Sequence, residues 1–193
     1  MARGGGTDAV RIAPAREQDA AALVALVRSA YRGDESRVGW TTEADLLTDD
    51  RIDLPEMQAK LRRPYAVVLA ACTDDGALVG CCEVVRTSPA LGYFGMFAVR
   101  PTLQSAGLGR RLLEAAEAFA VEHWAVADME MTVIAQRTEL IAWYARRGYT
   151  PTGEVRPFPY DALAEGQALR DDLVFAVLRK ALSSVRPLGP RRV

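Results

Sequence analysis

The chain has 193 residues, with 24 Lys and Arg, 25 Asp and Glu and one His, for a net charge of −1 at neutral pH. Half of it is hydrophobic and a quarter charged, the proportions of a globular protein long enough to bury one core. So even a balance argues against a generic nucleic-acid binder or a polybasic membrane binder, since each needs surplus positive charge, and leaves room only for a local basic patch.

No apolar run approaches the ~20 residues that span a bilayer, and Met1–Gly6 carries no signal-peptide core. No membrane or nucleic-acid partner is expected, and the expected location is the cytoplasm. The Gly-rich start, residues 1–8, and the tail, residues 183–193, offer little apolar surface and are expected to be disordered. Residues 9–182 are expected to form a single domain.

A short strand, Ala9 to Ala13, leads through Pro14 into a helix whose Leu23, Val24, Leu26, Val27, Ala30 and Tyr31 recur at helical spacing. A polar, Gly-punctuated loop follows and ends at Trp40. Thr42 and Asp45 resemble a capping box, and Asp53, Pro55 and Glu56 mark the start of a second helix. The runs Tyr65–Cys72 and Ala77–Arg86 flank Thr73-Asp74-Asp75-Gly76 and read as a hairpin. A third strand spans Tyr93–Val99. Leu108, Leu112, Leu113, Ala116 and Ala120 form the apolar stripe of a long helix reaching His123. Met129–Ala135 is strand-like, Glu139–Arg147 helical with Gly148 as its C-terminal glycine, and strands from Tyr149 and over Leu173–Leu178 complete the set. This order predicts a mixed α/β fold with helices on both faces of one sheet.

Cys81 and Cys82 are adjacent in a strand and so point to opposite faces, where they cannot share a bridge or a metal. With Cys72 they read as small buried hydrophobes. The lone His123 has no partners at ligand spacing, and no Gly-x-Ser-x-Gly elbow exists. No metal site and no hydrolase triad are expected.

The stretch Phe97-Ala98-Val99-Arg100-Pro101-Thr102-Leu103-Gln104-Ser105-Ala106-Gly107-Leu108-Gly109-Arg110-Arg111 runs from a strand through a short loop into the long helix. Helix N-termini present unpaired N–H groups and a positive dipole end, which suits a phosphate. Glycine at 107 and 109 would let a pyrophosphate approach the backbone. Leu112 stands where a dinucleotide fingerprint needs a third Gly or Ala, and no lysine follows as a Walker A loop requires, so NAD and ATP fit poorly.

Gln104-Ser105-Ala106-Gly107-Leu108-Gly109 resembles the Gln/Arg-x-x-Gly-x-Gly/Ala signature of the GNAT superfamily of acetyl-CoA-dependent N-acetyltransferases, with the expected strand before and helix after. Trp143-Tyr144-Ala145-Arg146-Arg147-Gly148-Tyr149 looks like that family's aromatic-Tyr-x-x-x-Gly-Phe/Tyr motif. The resemblance implies a mostly antiparallel sheet of about six or seven strands with about four helices, splayed into a V between the fourth and fifth strands. It further implies acetyl-CoA in that opening, its pantetheine on the backbone of Phe97, Ala98 and Val99 and its pyrophosphate on the N–H groups from Gln104 through Ser105, Ala106, Gly107, Leu108 and Gly109 to Arg110.

By the same resemblance Tyr144 is the general acid for the departing thiolate, although it also reads as a core aromatic. Where the family often has an Asn that meets pantetheine, this chain has Arg137, which is read either as a grip on a CoA phosphate or carbonyl or as a solvated side chain. The family's strand Glu is replaced by Tyr93. Glu83 on the neighbouring strand is the substitute base, unless it faces solvent. Substrate contacts are expected from Trp40, Tyr93 and Tyr160, and more weakly from Arg32, Glu43, Arg51 and Phe158.

The implied activity is transfer of an acetyl group to a primary amine of a small or amino-acid-like acceptor by direct attack in a ternary complex, with acetyl-CoA as co-substrate. Two other readings stay open: N-terminal protein acetylation, and a non-catalytic acyl-CoA-binding regulatory module. Family members commonly form dimers, so a homodimer is within expectation.

Overall fold

The computed structural model describes residues 10–32, 36, 43–48, 51–104, 107–164 and 167–182. Local chemistry sets the first meander. Gly76 N donates to Thr73 O at 2.9 Å and Thr73 N to Ala77 O at 3.0 Å, which closes the hairpin between β2 (Ala66–Thr73) and β3 (Leu78–Arg86). β1 (Val10–Pro14) and β4 (Leu91–Val99) add antiparallel on either side of this pair. β5 (Asp128–Ile134), β6 (Thr150–Pro157) and β7 (Val174–Ala181) complete a seven-stranded sheet of order β1-β2-β3-β4-β5-β7-β6.

One junction in the sheet is parallel and short. β4 meets β5 only through Leu91, Gly92 and Tyr93, opposite Asp128, Met129 and Glu130. Leu91 and Gly92 therefore belong to the strand that the sequence suggests begins at Tyr93. Beyond these pairs the two strands part, giving the V expected between the fourth and fifth strands. A β-bulge lies on the same length of β4: Cys81 faces Ala98 but Glu83 faces Gly95, so β4 carries one extra residue there. Met96, with φ +45°, is in the left-handed region that a bulky side chain seldom adopts, and bulges of this kind re-aim the backbone beside clefts.

Helices cover both faces. α1 (Ala20–Tyr31) and α2 (Leu54–Arg62) bury Leu23, Val27, Ala30 and Met57 against Val68, Cys81 and Ala98. α2 starts with a reciprocal cap, Glu56 N to Asp53 Oδ1 at 2.8 Å and Asp53 N to Glu56 Oε2 at 3.0 Å. On the opposite face α3 (Leu108–Trp124) sets Leu112, Leu113, Ala116 and Ala120 on a cluster that includes Cys82, Val84 and Phe94, joined by Leu140 and Tyr144 of α4 (Thr138–Ala145). Cys81 and Cys82 thus fall on opposite faces as alternation requires. After α4 the chain reverses at Gly148, φ +89°, and enters β6.

The helix start suggested by Thr42 and Asp45 is not what the described residues form. Thr42 lies outside them, Ala44–Leu46 make a turn, and Leu47 bridges to Ala168. No described helix is long and apolar enough to cross a membrane.

Candidate active site

The parting of β4 and β5 opens a cavity of about 280 Å³ between Phe94–Phe97 on one strand and Met131–Ile134 on the other. At its closed end the Tyr93 hydroxyl and Thr132 Oγ1 share a hydrogen bond of 2.7 Å across the two strands. The Tyr93 ring lies over Gly95, where a Cβ would fall 2.9 Å from Tyr93 Cε1, so a side chain at 95 would displace the ring.

The β4 edge facing this cavity is defined by the ladder on its other side. Ala98 pairs with Cys81, and Arg100 N donates to Val79 O at 2.9 Å, so alternation turns the polar backbone groups of Phe97 and Val99 to the opening. Both carbonyls there already have donors. The Tyr31 hydroxyl donates to Phe97 O, and Gln104 Nε2 donates to Val99 O at 3.1 Å. Phe97 and Val99 therefore offer a ligand their N–H groups rather than their carbonyls.

α3 begins beside that edge. Gly107 is its N-cap with φ +79°, a conformation that favours glycine, and a Cβ built there meets no atom within 4 Å. Arg111 N donates to Gly107 O at 3.2 Å, which leaves the N–H groups of Leu108, Gly109 and Arg110 in the helix's first turn, without intrahelical acceptors. Ser105 and Ala106, expected in the same cradle, lie outside the described residues.

Gly109 has a different reason for being glycine than backbone approach by a phosphate. Its Cβ would sit 3.1 Å from Phe97 Cζ and 3.6 Å from Trp143 Cζ2, so its small size lets α3 pack on those rings. Arg110 is exposed and paired with Glu114 at 3.0 Å, whereas Arg111 folds back to Val10 O at 2.6 Å.

Arg147 is the residue at this end that sequence reasoning did not single out. Its Cζ lies 3.4 Å over the Trp143 ring, Nη1 donates to Trp143 O at 2.7 Å, and Nε is buried without a hydrogen-bond partner. Burial, with Arg146 and Arg110 nearby, pushes its pKa down. Its place one residue before Gly148 in the second motif was the only sequence signal.

Tyr144 projects from α4 into the same cavity, buried against Phe94 and Phe97 with ring centroids 6.4 Å away and against Trp143 at 5.0 Å. It is both a core aromatic and a cavity residue, so the two sequence readings coexist. Its hydroxyl has no hydrogen-bond partner among the described residues. Burial raises its pKa well above the ordinary phenol value, with Tyr31 adding to the rise and Arg137 opposing it. At neutral pH it holds its proton and can give it, but cannot serve as a base.

Residues 22–149 match the Acetyltransferase (GNAT) family. The chain belongs to that family. It is accordingly an acyltransferase, and its fold recurs among solved structures. A spermidine N-acetyltransferase from Vibrio cholerae, in complex with CoA and spermine, is 11% identical with TM-score 0.66, covering 91% of this chain and 97% of that one. YncA from Salmonella typhimurium, solved with its cofactor acetyl-CoA, is 20% identical with TM-score 0.64 over 90% and 94%. An acetyltransferase of the GNAT family from Staphylococcus aureus Mu50 is 13% identical with TM-score 0.64 over 91% and 100%. No curated protein sequence matches significantly.

On the cavity wall this acetyltransferase has a cluster of buried charges. Glu43, 5% exposed, holds Arg137 Nη1 on Oε1 at 2.8 Å and Arg32 Nη1 on Oε2 at 2.9 Å, with Arg51 Nε 3.9 Å from Oε2. Burial alone would raise its pKa, but Arg51, Arg137 and Arg32 outweigh that and hold it below the usual carboxylate value. Arg51 and Arg137 also stand 5.1 and 5.9 Å from the Tyr31 ring centroid. Tyr31 itself is pushed up to about 12 by burial and stays neutral.

Arg137, read from the sequence as a CoA contact or a solvated side chain, has a largely buried side chain, lines the cavity and pairs with Glu43 beside Tyr31. Glu43, weakly indicated by the sequence, proves central to that wall.

Two other expected residues lie off the cavity wall. Glu83 is buried on the α1/α2 face, with Oε2 2.6 Å from Lys60 Nζ and Oε1 without a partner. It faces neither solvent nor the cavity directly, because Cys81, Glu83 and Val68 share the face that α2 covers. The Tyr160 hydroxyl accepts from Leu173 N at 2.6 Å, and the ring packs with Phe158 and Phe175 in a side cluster. That bond gives Tyr160 a structural task. Trp40 lies outside the described residues. Among the described residues no group of three or more His, Cys, Asp or Glu is placed to hold a metal.

Proposed function

We propose that this GNAT protein moves an acetyl group from acetyl-CoA to a primary amine of a small or amino-acid-like acceptor by direct attack in a ternary complex. The observation that carries this reading is that the β4 edge and Tyr144 line one cavity while the first turn of α3, with open space above Gly107, packs against Phe97 of that same strand. The site fits a CoA ester by that measure. The N–H groups of Leu108, Gly109 and Arg110 suit a pyrophosphate, with Arg110 and Arg147 adding charge nearby. The N–H groups of Phe97 and Val99, flanking Ala98, suit a pantetheine arm lying along the strand edge.

Acetyl-CoA supplies the activated acyl group as a thioester. Tyr144 gives a proton or hydrogen bond to the departing sulfur; a thiolate of pKa about 8.5 needs only modest help, and a phenol of higher pKa keeps its proton until then. Juxtaposing the reactants accounts for much of the acceleration. The acceptor must lose its proton before attack, and Glu83, on the strand beside β4 and buried against Lys60, is the proposed final proton acceptor. Glu43 does not suit that task, because its arginines lower its pKa and with it its affinity for a proton. A covalent acyl-enzyme finds no support: burial pushes Cys81 up to about 12 and Cys82 well upward, so neither supplies a thiolate at neutral pH.

Calorimetric titration with acetyl-CoA, with NAD and ATP as controls, tests the cofactor; selective micromolar binding corresponds to about −8 kcal/mol. Thiol release with a panel of amines tests transfer. Tyr144→Phe should lower kcat about 10²- to 10⁴-fold with acetyl-CoA affinity unchanged. Binding without turnover on any amine would instead indicate a regulatory acyl-CoA-binding module, and no binding would refute the cofactor assignment.

A further inference from the structure

The cavity between β4 and β5 ends on a side-chain pair that the transfer step does not use. Backbone pairing of the two strands stops at Tyr93 and Glu130. Thr132 stands two residues beyond Glu130 and so on the same face, and the Tyr93 hydroxyl meets its Oγ1 across the gap at 2.7 Å. Both residues line the cavity, as do Phe94 and Met131, which alternation turns to the other face. The closed end is therefore bounded on one face by a Tyr93–Thr132 bar and on the other by two buried apolar side chains.

The bar is held in place from several sides. Thr132 is paired with Val177 of β7, and Tyr93 is paired with Val85 of β3 on one side and Glu130 of β5 on the other. The Tyr93 ring lies along β4 over Gly95, where a Cβ would fall 2.9 Å from Cε1 and 3.7 Å from Cδ1. Glycine at 95 thus makes room for the ring. Tyr93, Gly95 and Thr132 form one device, in which the missing side chain seats the ring and the threonine fixes its far end.

A CoA ester bound at this site points at the bar. With its pyrophosphate on the first turn of α3, beyond Val99, and its pantetheine arm on Val99 and Phe97, the thioester advances along β4 toward lower residue numbers. The Tyr144 ring, whose hydroxyl serves the departing sulfur, has its centroid 6.4 Å from those of Phe94 and Phe97, which sets the sulfur at the level of residues 94–97. Gly95 and Tyr93 come next. At about 3.3 Å per strand residue, the acyl chain has roughly 3–7 Å before it meets the bar.

Resting on the acetyl-transfer reading, we propose that Tyr93, tethered to Thr132 and seated on Gly95, limits the acyl donor to short chains, so that acetyl-CoA is accepted and hexanoyl-CoA is disfavoured. The transfer is the same for every donor: the amine nitrogen bonds the carbonyl carbon and gives up its proton to the base, the C–S bond breaks, and the sulfur takes the electron pair and the proton offered by Tyr144. What differs is the space behind the carbonyl. A longer chain must swing the ring off Thr132 and break their hydrogen bond, or press on the buried Phe94 and Met131, and overpacking of this kind is unfavourable. The strands cannot part to relieve it, because the pairs from Leu91 to Tyr93 close that end of the sheet.

The test is calorimetric titration of the full chain with CoA, acetyl-CoA, butyryl-CoA and hexanoyl-CoA in the absence of an amine, so that affinity is read without turnover. Wild type should bind hexanoyl-CoA at least about tenfold more weakly than acetyl-CoA. Tyr93→Ala should remove most of that discrimination with CoA affinity unchanged, since CoA has no acyl chain to meet the bar. Thr132→Val keeps the volume and removes the tether; it should relax the discrimination in part, and it decides the matter if Tyr93→Ala does not fold. Equal wild-type affinity for acetyl-CoA and hexanoyl-CoA, or discrimination that survives undiminished in the folded variants, would overturn the inference while acetyl-CoA still binds. Failure of the wild-type chain to bind acetyl-CoA would overturn the acetyl-transfer reading instead, and this inference with it.

Discussion

Replacing Gly107 by Glu separates ligand binding from folding at the start of α3. Gly107 has φ +79°, and an L-residue in that region costs about 1–2 kcal/mol. No atom lies within 4 Å of the new Cβ, so no clash adds to this. A carboxylate at a helix N-terminus returns about 0.3–1 kcal/mol. The net loss is then about 1 kcal/mol, a fall in Tm of about 2–4 °C for a chain of this size.

Binding should suffer far more. At roughly 5 Å and an effective dielectric constant near 20, two like charges repel by about 3 kcal/mol, so acetyl-CoA affinity should drop by at least about 100-fold. The assay is calorimetry beside a thermal melt. Gly109→Ala is the internal control, because its methyl presses on Phe97 Cζ from 3.1 Å and adds no charge. It should weaken binding less than Gly107→Glu. A Gly107→Glu protein that melts normally and binds acetyl-CoA at wild-type affinity would refute the assignment of the α3 N-terminus as the phosphate site.

Two further expectations follow from the buried charges. Lys60→Met strands the Glu83 carboxylate, now held at 2.6 Å with its other oxygen unpaired. Stability should fall by about 3 kcal/mol, the low end for breaking a buried pair because Lys60 keeps some contact with water; adding Glu83→Leu should recover most of the loss, and additive losses in the double variant would count against the pair. Glu43 has a lowered pKa in the folded state, so its contribution is complete above the ordinary carboxylate value of 4.5 and is lost as pH falls through the lower folded value. Wild-type Tm should therefore drop more steeply than that of Glu43→Gln below about pH 5, and parallel curves would show that Glu43 is not coupled to folding.

Much of the frame was legible because its signals are local. The helical spacing of Leu23, Val27 and Ala30, the hairpin turn at Thr73–Gly76, the Asp53 cap and the left-handed glycines at 107 and 148 each depend on a few neighbouring residues. The two motifs lie in single stretches as well, and so pointed to the start of α3 and to Tyr144 and identified the family. What was not legible lies where distance along the chain is large: the Tyr160 hydroxyl accepts from Leu173 N, and Glu83 is paired with Lys60 across 23 positions.

The amino-acid sequence by itself determined the elements, their order and the glycine turn that starts α3, because hydrogen bonds and backbone preferences within a few residues decide those. Only the tertiary structure decided that the parting of β4 and β5 brings Glu43 to Arg137, 94 positions away, and sets Tyr31 on the carbonyl of Phe97. Such pairings depend on which faces pack together, and burial then fixes their energies by removing the water that would otherwise screen each charge.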